Sequence, residues 1–275
     1  MAKRNRSTTQ AVIDRRIQEG RGQGAGAAYQ PWLFVQDVPS QGLAHRIKGW
    51  KTGRVHHLFS NHERDYFYIL EWSPFIQDTR EQYPLLPLEE TLTLAEENNI
   101  RHPADPKTRQ PIVMTTDFLV TVARNGSAVN QARSVKPRSQ LTKTRVLEKL
   151  ELERLYWQKR DMDWGIVTER EIPQTVADNV RLLHGYRCLA DRSLSPGDID
   201  TIGTILTRRV RAEQSPLREI AAECDLWLGF EPGTCLAVAY YLLANRHWNT
   251  NLYTPLDPDT ALVLLDTTIE RAGGA

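Results

Sequence analysis

Residues 113–137 read VMTTDFLVTVARNGSAVNQARSVKP, and an acid, Asp117, stands in the middle of this apolar, β-branched run. The first part, VMTTDFLVTV, has the Val, Thr and Phe enrichment of a strand. Asn125-Gly126 is a turn signal, and AVNQARSVK can return as a second strand. The stretch therefore predicts a β-hairpin that carries an acid.

A two-residue turn at Asn125 and Gly126 sets the register of this hairpin. Opposed residues then have numbers that sum to 251, so that Asp117 faces Ser134 and Thr115 faces Lys136. Because side chains alternate between faces, Asp117 and Lys136 become diagonal neighbours, roughly 7–8 Å apart at Cα. A single pair of this kind is usually a solvated salt bridge of little energetic value, so a functional interpretation needs further residues.

Composition bounds the class of protein. The chain has 275 residues, of which 40% are hydrophobic, enough for one large or two ordinary globular domains. Lys and Arg total 35 against 34 for Asp and Glu, so net charge argues neither for nor against a nucleic-acid partner.

Basic residues are concentrated near the N-terminus, in residues 1–60. Only Asp14, Glu19 and Asp37 oppose them there. The pattern predicts a basic arm that contacts DNA, although such runs are often merely solvated. The basic residues are Lys3, Arg4, Arg6, Arg15, Arg16, Arg21, Arg46, Lys48, Lys51 and Arg54.

Two features that the sequence lacks, an apolar membrane or signal segment and paired cysteines, bear on the location and the redox chemistry of the protein. No apolar stretch is long enough to span a membrane, and MAKRNRSTTQ lacks the apolar core of a signal peptide, so a cytoplasmic protein is expected. Cys188, Cys224 and Cys235 are odd in number, widely spaced and without a CxxC pair. This argues against a cysteine zinc finger or a disulfide framework.

The stretch SNHERDYFYILEW, residues 60–72, has the signals of a helix start. Ser60 or Asn61 can cap the helix, and Glu63 falls in its first turn. Glu63 could serve only as a capping acid. The nearby His56, His57 and His62 lack the Cys or carboxylate partners of a zinc site.

Residues 141–164, LTKTRVLEKLELERLYWQKRDMDW, form the strongest helix pattern in the chain. Val146, Leu147, Leu150 and Trp157 line one stripe, and Glu153 falls on that stripe. An acid on a packed face either reaches solvent at the edge or is held by a partner such as a metal. DWGIVTE, with Ile166, then reads as a short strand.

These elements predict a mixed α/β core in which acids and a lysine converge. Carboxylates hold a hard divalent ion, the ion polarises a phosphate and lowers the pKa of water, and a lysine stabilises charge. The combination therefore favours metal-dependent phosphodiester hydrolysis.

Several ordered motifs resemble the TnsA family, the endonuclease subunits of heteromeric cut-and-paste DNA transposases. The resemblance covers residues 11 to about 170 and weakens beyond. The motifs are RRIQEGRGQGAGAAYQPWL (15–33), VHHLFSNHE (55–63), REQYPLLP (80–87), TDFLV (116–120), VKP (135–137) and LEKLELERLYW (147–157).

The resemblance implies an α/β fold with a restriction-endonuclease-like mixed sheet flanked by helices. It places this catalytic domain, with its basic arm, in residues 1–168, and a helical, winged-helix-like partner-binding domain in residues 169–275. The implied catalytic set is Glu63, Asp117 and Lys136. The implied ligands of Mg²⁺, with Mn²⁺ as a substitute, are Glu63, Asp117, the Val135 carbonyl and Glu153.

The position two before the lysine departs from the pattern of the superfamily, where Gln or an acid is common. Here it is Ser134, which can orient a water but is a poorer ligand. Metal binding would then rely on Asp117, Glu63 and Val135. The DNA contacts expected in the basic arm are Arg15, Arg16, Arg21, Lys48, Lys51 and Arg54.

Members of the family cleave the 5′ strands at transposon ends, while a TnsB-like DDE recombinase cleaves the 3′ strands and a TnsC-like AAA+ regulator licenses both. The same function and partners, including transposon-end DNA, are expected here. Two alternatives are open: a catalytically inactive DNA-bound adaptor of the same complex, and a stand-alone nuclease.

The C-terminal third predicts three helices, in SPGDIDTIGTILTRRV, SPLREIAAECDLWLGF and EPGTCLAVAYYLLANRHW, followed by a short wing in NTNLYTPLDP. The order is that of a helix-turn-helix domain. The third helix carries few basic side chains before Arg246, so packing is favoured over DNA reading. The resemblance implies that this domain mainly contacts partner proteins.

Overall fold

The structure is a computed structural model that describes residues 7–38, 43–124, 126–190 and 194–266. It divides into two compact units, Met1–Ile172 and Pro173–Ala275. The sequence placed the boundary after Thr168. Lys3, Arg4 and Arg6 of the predicted basic arm, and Asn125 of the predicted turn, lie outside the described residues.

The first unit contains all six strands of the described chain and four of its α-helices. The strands are β1 (His45–Lys48), β2 (Val55–Leu58), β3 (Ile76–Pro84), β4 (Thr115–Arg124), β5 (Ser127–Val135) and β6 (Asp163–Val167). The helices are α1 (Gln10–Gln18), α2 (Asn61–Trp72), α3 (Leu88–Glu97) and α4 (Thr144–Gln158).

The main sheet has the order β3-β4-β5-β6. β3, β4 and β5 are antiparallel neighbours, whereas β6 joins β5 in parallel after α4. This confirms the mixed α/β class. Strands β1 and β2 form a separate antiparallel pair.

The β4–β5 hairpin has the predicted register. Phe118 pairs with Arg133 and Arg124 with Ser127, and each pair sums to 251. Gly126 has φ +76, which a glycine adopts without strain and which a tight hairpin turn requires. The hairpin prediction is therefore confirmed on both sides of Asn125.

The two helices predicted to carry acids are confirmed. Helix α2 is capped by Ser60, whose side chain accepts a hydrogen bond from the Glu63 N–H. Helix α4 buries Leu150 and Trp157, but Leu147 is 45% exposed, so its place on the packed stripe was wrong. An isolated helix pattern does not show how wide a face the sheet covers.

The main core of the first unit lies between the sheet, α3 and α4. Strands β4 and β5 contribute Leu119 and Ala132, while α4 contributes Leu152, Tyr156 and Trp157. A smaller cluster joins Ile13 of α1 to Trp32, Leu88 and Val113. The larger cluster therefore packs against the strand that carries Asp117, through Leu119.

The second unit is helical, as predicted. Its helices are α5 (Gln174–His184), α6 (Pro196–Ala212), α7 (Leu217–Leu228) and α8 (Thr234–Ala244). The last three match the three predicted helices, and α5 was not foreseen. Ser195 caps α6 in a capping box with Asp198.

The predicted wing is not formed. Residues 249–258 contain one isolated bridge, from Asn249 to Leu265, and no strand. Asn179 of α5 instead fixes this segment: its Nδ2 donates to the Leu252 and Thr254 carbonyls, and its Oδ1 accepts from the Leu256 N–H. A side-chain amide thus replaces strand pairing. Within the described part of the chain, none of the helices combines the length and apolarity that crossing a membrane requires.

Candidate active site

Asp117 and Lys136 are in direct contact at one end of the β4–β5 hairpin. Lys136 Nζ donates to Asp117 Oδ2 at 2.6 Å and to the Val135 carbonyl at 3.0 Å. The Val135 N–H donates to the same Oδ2 at 2.8 Å. Both bonds to Asp117 therefore converge on one oxygen, and its Oδ1 accepts no hydrogen bond from the described residues.

Lys136 is held as a cation. Burial acts to lower the pKa of Lys136, but Asp117 acts to raise it through charge and a hydrogen bond, and the net shift is upward. Glu153 and Glu63 add to the upward effect. Lys136 consequently supplies a positive charge at this site and is not a general base.

Glu63 reaches the site from the first turn of α2 and is buried, with 6% of its surface exposed. Its Oε1 accepts from the Ser60 hydroxyl at 2.9 Å, and its Oε2 accepts from the Phe59 N–H at 3.0 Å. Glu63 thus also has the capping role that the alternative interpretation gave it. Burial, and next the charge of Asp117, raises the pKa of Glu63 to about 7.

Glu153 lies on the buried face of α4 with 5% of its surface exposed. Its Oε1 accepts from the Ser134 hydroxyl and from Trp164 Nε1, the latter at 3.1 Å. Burial, and next the charge of Asp117, raises the pKa of Glu153 to about 7. Ser134 therefore holds Glu153, whereas the sequence suggested that Ser134 would orient a water.

The carboxylates do not form a closed metal cage. In the ranges that the structure describes, no three His, Cys, Asp or Glu side chains are arranged to hold a metal ion. Ser134 and Trp164 donate hydrogen bonds to Glu153 Oε1, and the role of Glu153 as a metal ligand stays a prediction. The three sequence-predicted catalytic residues nevertheless interact.

The chemistry of the donor set fits a hard divalent ion. Asp117, Glu63 and the Val135 carbonyl are oxygen donors, which Mg²⁺ prefers, and Mg²⁺ usually keeps several waters instead of a full protein cage. Three buried acids, Glu63, Asp117 and Glu153, face a single ammonium group, that of Lys136. Burial is the main cause of the raised pKa of Glu63 and of Glu153, and the charge of Asp117 is the next.

Five of the six predicted DNA contacts make ion pairs or hydrogen bonds within the protein, among them the exposed Arg15, which pairs with Glu19 at 3.5 Å. Arg21 pairs with Asp37 at 2.5 Å and lies over the ring of Phe34, and Arg16 lies over the ring of Trp32. Lys51 Nζ donates to the Ser73 carbonyl at 2.8 Å.

Arg54, a predicted DNA contact, pairs with a buried carboxylate within the protein. It donates through two nitrogens to the carboxylate of Glu81, whose side chain is fully buried. His56 also pairs with this carboxylate, at 2.8 Å. Burial alone would raise the pKa of Glu81, but His56 and Arg54 lower it to about 2. Arg54 and Arg21 are therefore structural ion-pair partners, while Arg15 and Lys48 are exposed.

Sequence reasoning missed strand β3 and the residues it brings to the site. Glu81 and Gln82 are adjacent on β3, and both are buried. Gln82 Nε2 lies 3.4 Å from Glu63 Oε2. The run REQY is rich in polar side chains and lacks the apolar alternation that predicts a strand. Buried polar pairs do not produce this alternation.

Comparison with known proteins gives two family matches. The model of the TnsA-like endonuclease N terminal family matches residues 73–169, and that of the TnsA endonuclease C terminal family matches residues 171–252. Asp117, Lys136 and Glu153 lie within the first match, and Glu63 precedes it. The chain is also 40% identical over 253 residues to the transposon Tn7 transposition protein TnsA of Escherichia coli, covering 92% of this chain and 90% of that protein.

Proposed function

The chain belongs to the TnsA family of transposition endonucleases, and from this premise we propose that it cleaves the 5′ strands at transposon ends in a metal-dependent reaction. The observation that carries the proposal is the contact between Lys136 and Asp117, beside the buried Glu63. Packing of the core does not by itself require Asp117, Glu63 and Lys136 to lie together.

The residues have distinct roles in the proposed reaction. Asp117, Glu63 and the Val135 carbonyl would hold Mg²⁺, or Mn²⁺ in its place. A bound ion there supplies polarisation of the scissile phosphate and a lowered pKa of water. Lys136 keeps its proton, because Asp117 raises its pKa, and its ammonium orients the attacking water and offsets charge on the phosphate.

DNA would approach over exposed cations near Lys136. Lys149 is exposed on α4, and its pKa is lowered first by burial of its stem and next by the charges of Arg145 and Lys136. The three cations are therefore close neighbours. We assign Lys149 to the DNA backbone in addition to Arg15 and Lys48, which are also exposed, in place of Arg21 and Arg54.

Two partners are proposed by family membership: a TnsB-like DDE recombinase for the 3′ strands and a TnsC-like AAA+ regulator. The second unit has a surface that a partner protein could contact. Its helices α6, α7 and α8 pack on one another, while Leu226 and Trp227 of α7 are 84% and 71% exposed. Exposed large apolar side chains are common at protein interfaces.

The test is strand-specific cleavage of transposon-end DNA with Mg²⁺, recombinase and regulator, comparing wild type with Asp117→Ala and Lys136→Ala. When catalytic residues act as a unit, removal of one of them greatly lowers the reaction rate. The rate of 5′-strand cleavage should therefore fall about a thousandfold or more in both variants. The 3′ cuts should persist.

A matched control is Asp163→Ala, which removes another Asp-cation pair of the same sheet, that with Arg133 at 2.8 Å. It should leave 5′ cleavage unchanged. Unaltered 5′ cleavage in Asp117→Ala would support the adaptor alternative, with the nuclease in another chain. Cleavage by the purified chain without partners would support the stand-alone alternative.

A further inference from the structure

Gln82 stands opposite Asp117 in the sheet. The flanking pairs Glu81–Phe118 and Tyr83–Thr116 define this position in the β3–β4 register. The residue is buried, with 4% of its surface exposed, and its carbonyl accepts a hydrogen bond from the Trp32 N–H at 3.2 Å. A polar side chain is thus held inside the protein beside the central acid of the site.

The side-chain amide of Gln82 links two elements of the site. Its Oε1 accepts from the Thr115 hydroxyl at 3.1 Å. Its Nε2 faces Glu63 Oε2 at 3.4 Å. Because Thr115 occupies the amide oxygen with a donated proton, the NH₂ end of Gln82 is directed toward the carboxylate. Two hydrogen bonds therefore connect Thr115 on β4, through Gln82 on β3, to Glu63 on α2.

The backbone of Gln82 is strained. Its φ is +49, a left-handed value that is unfavourable for a residue other than glycine. Among the described residues, the other non-glycine positions with positive φ, namely Asn99, Arg109, Asp161 and Arg246, lie outside the strands. Strain of this kind persists where the surroundings fix it, and it clusters at functional sites.

We propose that Gln82 is a positioning residue that aims the Glu63 carboxylate at the metal shared with Asp117, an inference that rests on the proposed function. The neutral amide donates to Glu63 Oε2 without adding a charge that would compete with the metal. The Phe59 N–H holds the same Oε2 at 3.0 Å and the Ser60 hydroxyl holds Oε1, so the amide is a further donor that limits rotation of this carboxylate. Hydrogen-bond partners of metal ligands orient the ligands in this way, and their loss costs about 10- to 100-fold in metal affinity.

The test is direct Mn²⁺ binding by the full chain without DNA, followed by the electron paramagnetic resonance signal of free Mn²⁺. Gln82→Gly removes the amide and, because glycine accepts positive φ, imposes no new backbone strain. We expect its Mn²⁺ affinity to fall about 10- to 100-fold while thermal melting stays within a few degrees of wild type. Thr115→Val, which removes only the orienting hydroxyl, should weaken Mn²⁺ binding in the same direction and by less.

Two control variants distinguish failure of the role of Gln82 from failure of the metal site itself. Asn99→Gly makes the same backbone change at an exposed residue with φ +52 and should bind Mn²⁺ as wild type does. Asp117→Ala should abolish binding. If wild type binds no Mn²⁺, or Asp117→Ala binds it equally well, the metal site of the proposed function is overturned and the role of Gln82 with it. If only Asp117→Ala loses binding and Gln82→Gly keeps wild-type affinity, the role of Gln82 alone is overturned.

Discussion

Lys136 Nζ lies 2.6 Å from Asp117 Oδ2, and the Val135 N–H donates to the same oxygen at 2.8 Å. One oxygen of the central acid is therefore held by the opposing strand, and the carboxylate plane is fixed before any metal or DNA arrives. Preorganisation of this kind lowers the cost of assembling a charged site.

Ser134→Ala should destabilise the protein without abolishing 5′ cleavage. The fully buried hydroxyl donates to Glu153 Oε1, and its loss removes one of the side-chain hydrogen bonds to that buried carboxylate, leaving those from Trp164 and Thr116. We expect the free energy of unfolding to fall by about 1–3 kcal/mol in urea denaturation. Ser127→Ala, at an exposed position of the same strand, should change it by less than about 0.5 kcal/mol. Loss of cleavage at unchanged stability would instead favour a direct role for Ser134 at the reacting water.

Arg54→Met should reduce stability strongly, since it leaves the fully buried Glu81 carboxylate with His56 as its remaining ion-pair partner. Breaking a buried ion pair on one side costs about 3–5 kcal/mol. Lys48→Met lies on the neighbouring strand β1 at an exposed position and should leave the free energy of unfolding unchanged. Urea denaturation of the two variants measures the difference. Equal stabilities would restore Arg54 as a candidate DNA contact.

The stability that Glu63 and Glu153 contribute to the metal-free protein should fall as the pH rises from about 4.5 to about 7. Burial raises the pKa of Glu63 and Glu153 from 4.5 in the free side chain to about 7, so the native state binds more protons than the unfolded state in this window. Stability falls with pH wherever the native state binds more protons. Urea denaturation in the presence of chelator, repeated across this range, measures the slope.

Glu153→Gln isolates one of these two groups. The slope of stability against pH should be shallower in this variant, while Glu219→Gln, at an exposed position of α7, should follow wild type. Parallel slopes for wild type and Glu153→Gln would mean that Glu153 is already ionised in the native state at low pH.

Lys149→Met should weaken DNA binding and reduce its salt dependence. A lysine that contacts one phosphate contributes about one unit to the slope of log affinity against log salt concentration. Lys159→Met is the matched control, because Lys159 follows the other end of α4 and lies 4.0 Å from Glu97. Fluorescence anisotropy with a duplex at several salt concentrations gives both slopes. An unchanged slope for Lys149→Met would place the DNA on another face.

Local features of the fold were readable from sequence alone. The Asn-Gly turn and strict alternation gave the hairpin register that opposes Asp117 to Ser134 and brings Lys136 near, because turn length and period act over a few residues. The cap at Ser60 placed Glu63 in a first turn for the same reason. Periodicity also found α4, although it could not show that Leu147 would remain exposed.

Tertiary structure decided which polar residues are buried and with whom. Arg54 meets Glu81, Glu153 meets Ser134 and Trp164, and Gln82 meets Glu63 and Thr115, and most of these pairs are far apart in the chain. Neither charge runs nor periodicity records such partners, since a cation reads the same in sequence whether it faces solvent or a buried carboxylate. The sequence by itself determined the β4–β5 hairpin, helices α2 and α4, and the proximity of Asp117 and Lys136, whereas packing of β3 against β4 and α2 decided how the acids are held.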